Sequence, residues 1–110
     1  MSEPVDLANL RSMTDGDVDM EKILFEEFFS SFDLSISVLQ GSFGEDATET
    51  WRKEAHALKG ISLNLGAMNL GELCKKAQDE SNSSADSKGE LLKDIKTEYE
   101  MVRLFLMNLI

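Results

Sequence analysis

The sequence predicts an all-α chain: an antiparallel up-down-up-down four-helix bundle with a short extra helix at its N-terminus. One proline and seven glycines in 110 residues leave too few turn formers to punctuate many short strands, while Leu, Glu, Lys and Met favour helix. Apolar residues recur at steps of three and four along most of the chain. With 42% hydrophobic residues there is material for one modest core, so residues 1–110 are expected to form a single domain.

The first element is expected over about residues 5 to 12, where Leu7 and Leu10 lie three apart. It is too short to stand alone and must dock on the rest. Thr14-Asp15-Gly16-Asp17 is a cap-rich break, after which an apolar pattern runs from Val18 to Leu39 and stops before Gly41 and Gly44. Phe25, Phe29, Phe32, Ile36 and Leu39 follow one helical stripe and are expected to form its core face. Met20, Ile23, Leu34 and Val38 fall on the other side, where the first helix or a partner must cover them.

Asp46 and Glu49 have the spacing of a capping box opening a third helix through Trp51, Ala55, Leu58 and Leu65, with Gly66 as its stop. A fourth helix is expected over roughly 67 to 81, with Leu70, Leu73, Cys74 and Ala77 inward. The polar stretch Asn82-Ser83-Ser84-Ala85-Asp86 links it to the last helix. Ser87 and Glu90 form a second capping-box pair, and Leu91, Leu92, Ile95, Tyr99, Val102, Leu106 and Leu109 supply the final apolar face. Short connections make successive long helices antiparallel neighbours.

Net charge of -10 argues against nucleic acid and against an anionic membrane surface, both of which call for a basic footprint. The partners should be proteins. Cys74 is the only cysteine, so no internal disulfide or cysteine metal cluster can form, which fits a reducing compartment. No apolar run approaches a membrane span, and the start Met1-Ser2-Glu3-Pro4 lacks the basic and apolar regions of a signal peptide. A cytoplasmic monomer is expected.

The pentapeptide His56-Ala57-Leu58-Lys59-Gly60 contains the only histidine of the chain. At about 100° per residue, Arg52, Lys53, Lys59, Gly60 and Leu63 lie within about 60° of His56, while Trp51, Leu58, Ser62 and Leu65 point away. Three cations therefore surround one histidine in a chain with 21 acidic residues against 11 basic ones. Pairing of Glu49 with Lys53 would account for part of this, and a histidine on an ordinary solvated face is the plain alternative. Gly60 argues against it, because a mid-helix glycine costs about 1 kcal/mol relative to alanine. Close helix packing would explain a glycine on the apolar stripe, but Gly60 lies beside His56, where it clears space for a bulky anion.

His56-Ala57-Leu58-Lys59-Gly60, followed by Gly66-Ala67, Leu70 and Cys74, resembles the signature of histidine-containing phosphotransfer (HPt) domains of two-component phosphorelays. The motif runs from His56 to Cys74, and the expected bundle extends the likeness over nearly all of the chain. One departure is Ile61, where many family members carry Ser or Ala. Ser62 comes next, but its helical angle points inward. The resemblance implies that His56 accepts a phosphoryl group on Nε2 from a receiver-domain aspartyl phosphate and passes it to another receiver. It further implies that Lys59 steadies the phosphoryl oxygens, that Gly60 leaves room for them, and that Gln78 orients the imidazole from the following helix. Expected partners are receiver domains of response regulators or hybrid histidine kinases. No cofactor is expected in this chain, Mg²⁺ belonging to the receiver.

The receiver is expected to dock on an apolar patch of Leu10, Met13, Met20, Leu24 and Ala57, with Arg52 and Lys53 beside it and Asp15 and Asp17 in the polar rim. An autonomous enzyme finds no support, since the sequence has no glycine-rich nucleotide loop and no nucleophile–base pair can be assembled from one His and one Cys. The remaining alternative is a non-catalytic helical adaptor that binds a receiver or another signalling protein without carrying phosphate.

Overall fold

The computed structural model describes residues 3–109; the first two residues of the N-terminal reading lie outside this range. Five α-helices are present: α1 (Leu7–Thr14), α2 (Val18–Gln40), α3 (Thr48–Leu65), α4 (Met68–Asp79) and α5 (Ala85–Met107), with a 3-10 turn over Glu45–Ala47. No strand occurs among the described residues. The neighbouring pairs α2–α3, α3–α4, α4–α5 and α2–α5 close an up-down-up-down bundle, and α1 lies against α2 and α3. No helix among the described residues is long and apolar enough to cross a membrane.

Helix α1 begins later than the leucine spacing suggests because Asp6 caps it, accepting from the N–H groups of Ala8 and Asn9 at 3.0 and 3.3 Å. Val5 is buried ahead of it. The Asp6 N–H donates to the Gly66 carbonyl at 2.8 Å, and Asn9 Nδ2 donates to the Asn64 carbonyl at 3.0 Å. This answers how so short a helix holds its place: it is tied to the end of α3. Gly66 is required twice, since its φ of +96° is left-handed and a Cβ there would lie 2.9 Å from the Asp6 carbonyl oxygen.

Asp17 caps α2 by accepting from the Met20 N–H at 3.1 Å. Its core face differs from the expected stripe: Phe25, Phe28, Phe32 and Leu39 are buried with Ser35, whereas Phe29 and Ile36 are half-buried. The reason is that α2 meets α3 on one flank and α5 on the other, so its apolar arc is wider than one stripe. Phe28 and Phe32 pack around Tyr99 of α5, the Phe32 and Tyr99 rings stacked at 4.2 Å. The Tyr99 hydroxyl lies 2.9 Å from Asp33 Oδ1. Burial, with the Asp33 carboxylate adding to it, holds this phenol above its ordinary range.

Neither expected capping box forms. Asp46 belongs to the 3-10 turn, α3 starts without a side-chain cap, and Glu49 turns to Arg52 instead. At α5 the cap is Ser84, whose Oγ accepts from the Ser87 N–H at 3.1 Å, so the helix opens almost a turn before the Ser87–Glu90 pair. Leu109 lies past the end of α5 and is half-buried. Helix α4 stops at Asp79, and Leu73 is half-buried beside fully buried Leu70, Cys74 and Ala77.

Candidate functional site

The site is built by how α4 lies on α3. Near one end of the pair, Gly71 lets the helices meet closely: a Cβ there would collide with the Leu63 side chain. At the other end, buried Trp51 reaches across from α3 and its Nε1 donates to the Ala77 carbonyl at 2.8 Å. Ala77 precedes Gln78, so these two anchors place Gln78 over α3. There Gln78 Oε1 lies 3.2 Å from His56 Nδ1. With the amide oxygen as acceptor, Nδ1 carries the ring proton and the Nε2 lone pair is free.

His56 is exposed in the middle of α3, one turn from half-buried Lys59 and Gly60. A Cβ at Gly60 would meet nothing within 4 Å. Close helix packing therefore does not explain this glycine, and the surface above it is open. The three neighbouring cations are not equivalent. Arg52 forms an ion pair with Glu49, which draws the Glu49 carboxyl below its usual range and the guanidinium above its own. Lys53 and Lys59 form no ion pair among the described residues. The expected Glu49–Lys53 pair is replaced by Glu49–Arg52, one residue closer along the helix.

Ser62 is fully buried beside Cys74, away from His56. Burial pushes the Cys74 thiol up to about 12, against a small opposing effect of Ser62. A thiol so protonated is packing material, not a nucleophile.

Of the residues expected to meet a partner, Leu10 must be withdrawn: its exposure is 0% because it packs into the core beneath α1. Met13 and half-buried Leu24 line an apolar groove between α2 and α3 with Glu27, Phe28, Ser31, Ile61, Asn64 and Leu65. Ala57, Arg52 and Lys53 are exposed. Met20 is exposed too, but the register of α2 against α3 sets it apart from the histidine. Ser35 Oγ donates to Glu54 Oε1 at 2.7 Å, so the antiparallel level of His56 falls near residue 33 of α2. Met20 is then displaced by roughly 20 Å along the axis at 1.5 Å per residue. Leu34, 70% exposed, stands at the right level. The sequence held the signal for Leu34 in its off-stripe position, but only the register tells which end of α2 faces the histidine.

Comparison with known proteins gives the family and the fold. The Hpt domain family model matches residues 23–104, and the chain belongs to that family, whose members are histidine phosphotransfer proteins of two-component signalling and act as phosphocarriers rather than enzymes. The crystal structure of histidine-containing phosphotransfer protein B (HptB) from Pseudomonas aeruginosa PAO1 is similar in fold, with a TM-score of 0.86 and 21% identity over 98% of this chain and 95% of that one. No curated protein matches the chain.

Proposed function

We propose that His56 takes a phosphoryl group on Nε2 from the aspartyl phosphate of one receiver domain and passes it to an aspartate of another, in response regulators or hybrid histidine kinases. The observation that carries this reading is the His56–Gln78 pair. A proton held on Nδ1 leaves Nε2 as the nucleophile on the open side of the helix. As the Nε2–P bond forms, the P–O bond to the donor aspartate breaks and the aspartate leaves as a carboxylate. Nδ1 keeps its proton against Gln78 throughout.

Lys59 is one turn away and forms no ion pair among the described residues, which suits it to balance the phosphoryl oxygens. Gly60 offers the clearance they need. Mg²⁺ and the acidic pocket would come from the receiver, so this chain contributes a positioned nucleophile and no cofactor or kinase activity of its own. The receiver would dock over the α2–α3 face, with Met13, Leu24, Ala57, Ile61 and Leu34 beneath it and Asp15, Asp17 and Lys53 at the rim. Ile61, where many family members have Ser or Ala, then serves as groove lining rather than as a phosphoryl contact. The carrier is proposed to work as a cytoplasmic monomer.

Incubation with a phosphorylated receiver tests the proposal. The expected product is a label on His56 that hydrolyses in acid and survives alkali, absent from His56→Gln. A receiver that binds without transferring label would establish the adaptor reading instead.

A further inference from the structure

The start of α5 contains a group that phosphotransfer does not use. Lys88 is 1% exposed, the only lysine among the buried residues. Its Nζ stands 5.5 Å from the centre of the Trp51 ring, so the face of the indole offers partial compensation. It forms no ion pair and no hydrogen bond among the described residues. A lysine so largely withdrawn from water ordinarily has an anion beside its ammonium.

Lys88 lies in the wall of a cleft between the segment before α3 and the start of α5, which Phe43, Glu45, Thr48, Asn82 and Ser83 also line. Ser83 Oγ is buried there without a partner among the described residues. The Ser84 side chain takes the Ser87 N–H, leaving the N–H groups of Ala85 and Asp86 with no intrahelical acceptor. A lysine almost wholly withdrawn from water, a hydroxyl without a partner among the described residues and a helix N-terminus thus occur together, and all three favour an anion.

We propose that this cleft binds a carboxylate, held by Lys88 Nζ and Ser83 Oγ at the first turn of α5. A single negative charge suits the cleft better than a phosphate dianion, because Glu45 lines it and Asp86 lies in the adjoining turn. Thr48 is eight residues from His56, about 12 Å along α3, so the cleft is separate from the proposed phosphoryl site.

Trp51 is the only tryptophan and is fully buried, so its emission reports the state of the Lys88 ammonium without collisional quenching by solute. The experiment is a titration of the whole chain with sodium acetate and, separately, inorganic phosphate at constant ionic strength. A saturable change in Trp51 emission with acetate, weaker with phosphate and absent in Lys88→Met, is expected. Ser83→Ala should weaken acetate binding about three- to tenfold, which keeps the proposal testable if Lys88→Met folds poorly. Acetyl-triglycine compared with acetate separates a peptide terminus from a small free acid. No saturable response, a response unchanged in both variants, or tighter binding of phosphate would overturn the proposal. So would binding seen only in Glu45→Gln, which would make Glu45 the resident carboxylate.

Discussion

Trp51 and Ala77 are joined by a hydrogen bond from the indole Nε1 to the main-chain carbonyl, 2.8 Å long and buried. It couples the core of the bundle to the proposed chemistry, because the next residue of α4 is Gln78, whose Oε1 lies 3.2 Å from His56 Nδ1. Trp51→Phe keeps most of the apolar volume but leaves the Ala77 carbonyl without its donor. The cost should be about 1–3 kcal/mol, read as a lower midpoint in urea. If Trp51 also positions Gln78, the folded variant should transfer phosphate more slowly; a loss of stability with transfer unchanged would confine Trp51 to the core.

The tautomer of His56 is a direct readout of Gln78. In the native chain Nδ1 should carry the proton in the neutral ring, visible in ¹⁵N spectra of the imidazole. Gln78→Ala should shift the population toward the Nε2–H form and lower the phosphorylation rate, since the attacking nitrogen is then blocked by its own proton. An unchanged tautomer population would detach Gln78 from the mechanism.

Gly60 lies in open surroundings, so larger side chains meet no steric resistance from the fold. Gly60→Ala should raise stability by up to about 1 kcal/mol. Gly60→Gln should remain folded yet lose most phosphotransfer, because the new side chain occupies the space above the imidazole. Full-rate transfer in a folded Gly60→Gln protein would reject clearance as the reason for this glycine.

Lys59→Ala should slow transfer or shorten the phosphohistidine lifetime more than Arg52→Ala. The Arg52 charge is already engaged by Glu49, whereas Lys59 forms no ion pair among the described residues. Rates at low and high salt distinguish the two roles, since screening weakens a diffuse field more than a close contact. Equal losses that vanish together in salt would point to the field alone.

How much was legible in the sequence depended on whether a feature is local to one helix. His56, Lys59 and Gly60 share a face by helical geometry alone, and Gly66 needs only its left-handed φ to end α3. The choice of Phe28 over Phe29 for the core was not legible, because it depends on where α5 presents Tyr99. Leu10 looked like surface because a short amphipathic segment does not reveal what it docks on; the Asp6–Gly66 and Asn9–Asn64 hydrogen bonds decide that. Both capping boxes were misplaced since the spacing of Asp46 and Glu49 is equally met by a 3-10 turn and an Arg52 pair, and Ser84 competes with Ser87 as the cap.

The Ser35–Glu54 hydrogen bond puts Leu34 close to the level of His56, while Met20 lies roughly 20 Å away along the helix axis. Both are exposed, at 70% and 52%, so Leu34→Asp and Met20→Asp should each leave the bundle folded, as circular dichroism and urea midpoints would verify. If the receiver docks over the face that carries His56, a carboxylate at Leu34 enters the buried centre of that contact and should weaken binding at least tenfold. At Met20 the same change falls in the rim near Asp17, where a charge alters the encounter rate more than the affinity. Ala57→Asp, on the α3 side of the same face, should resemble Leu34→Asp. A larger loss from Met20→Asp than from Leu34→Asp would move the docking site toward α1 and the N-terminal end of α2, and the register argument would fail.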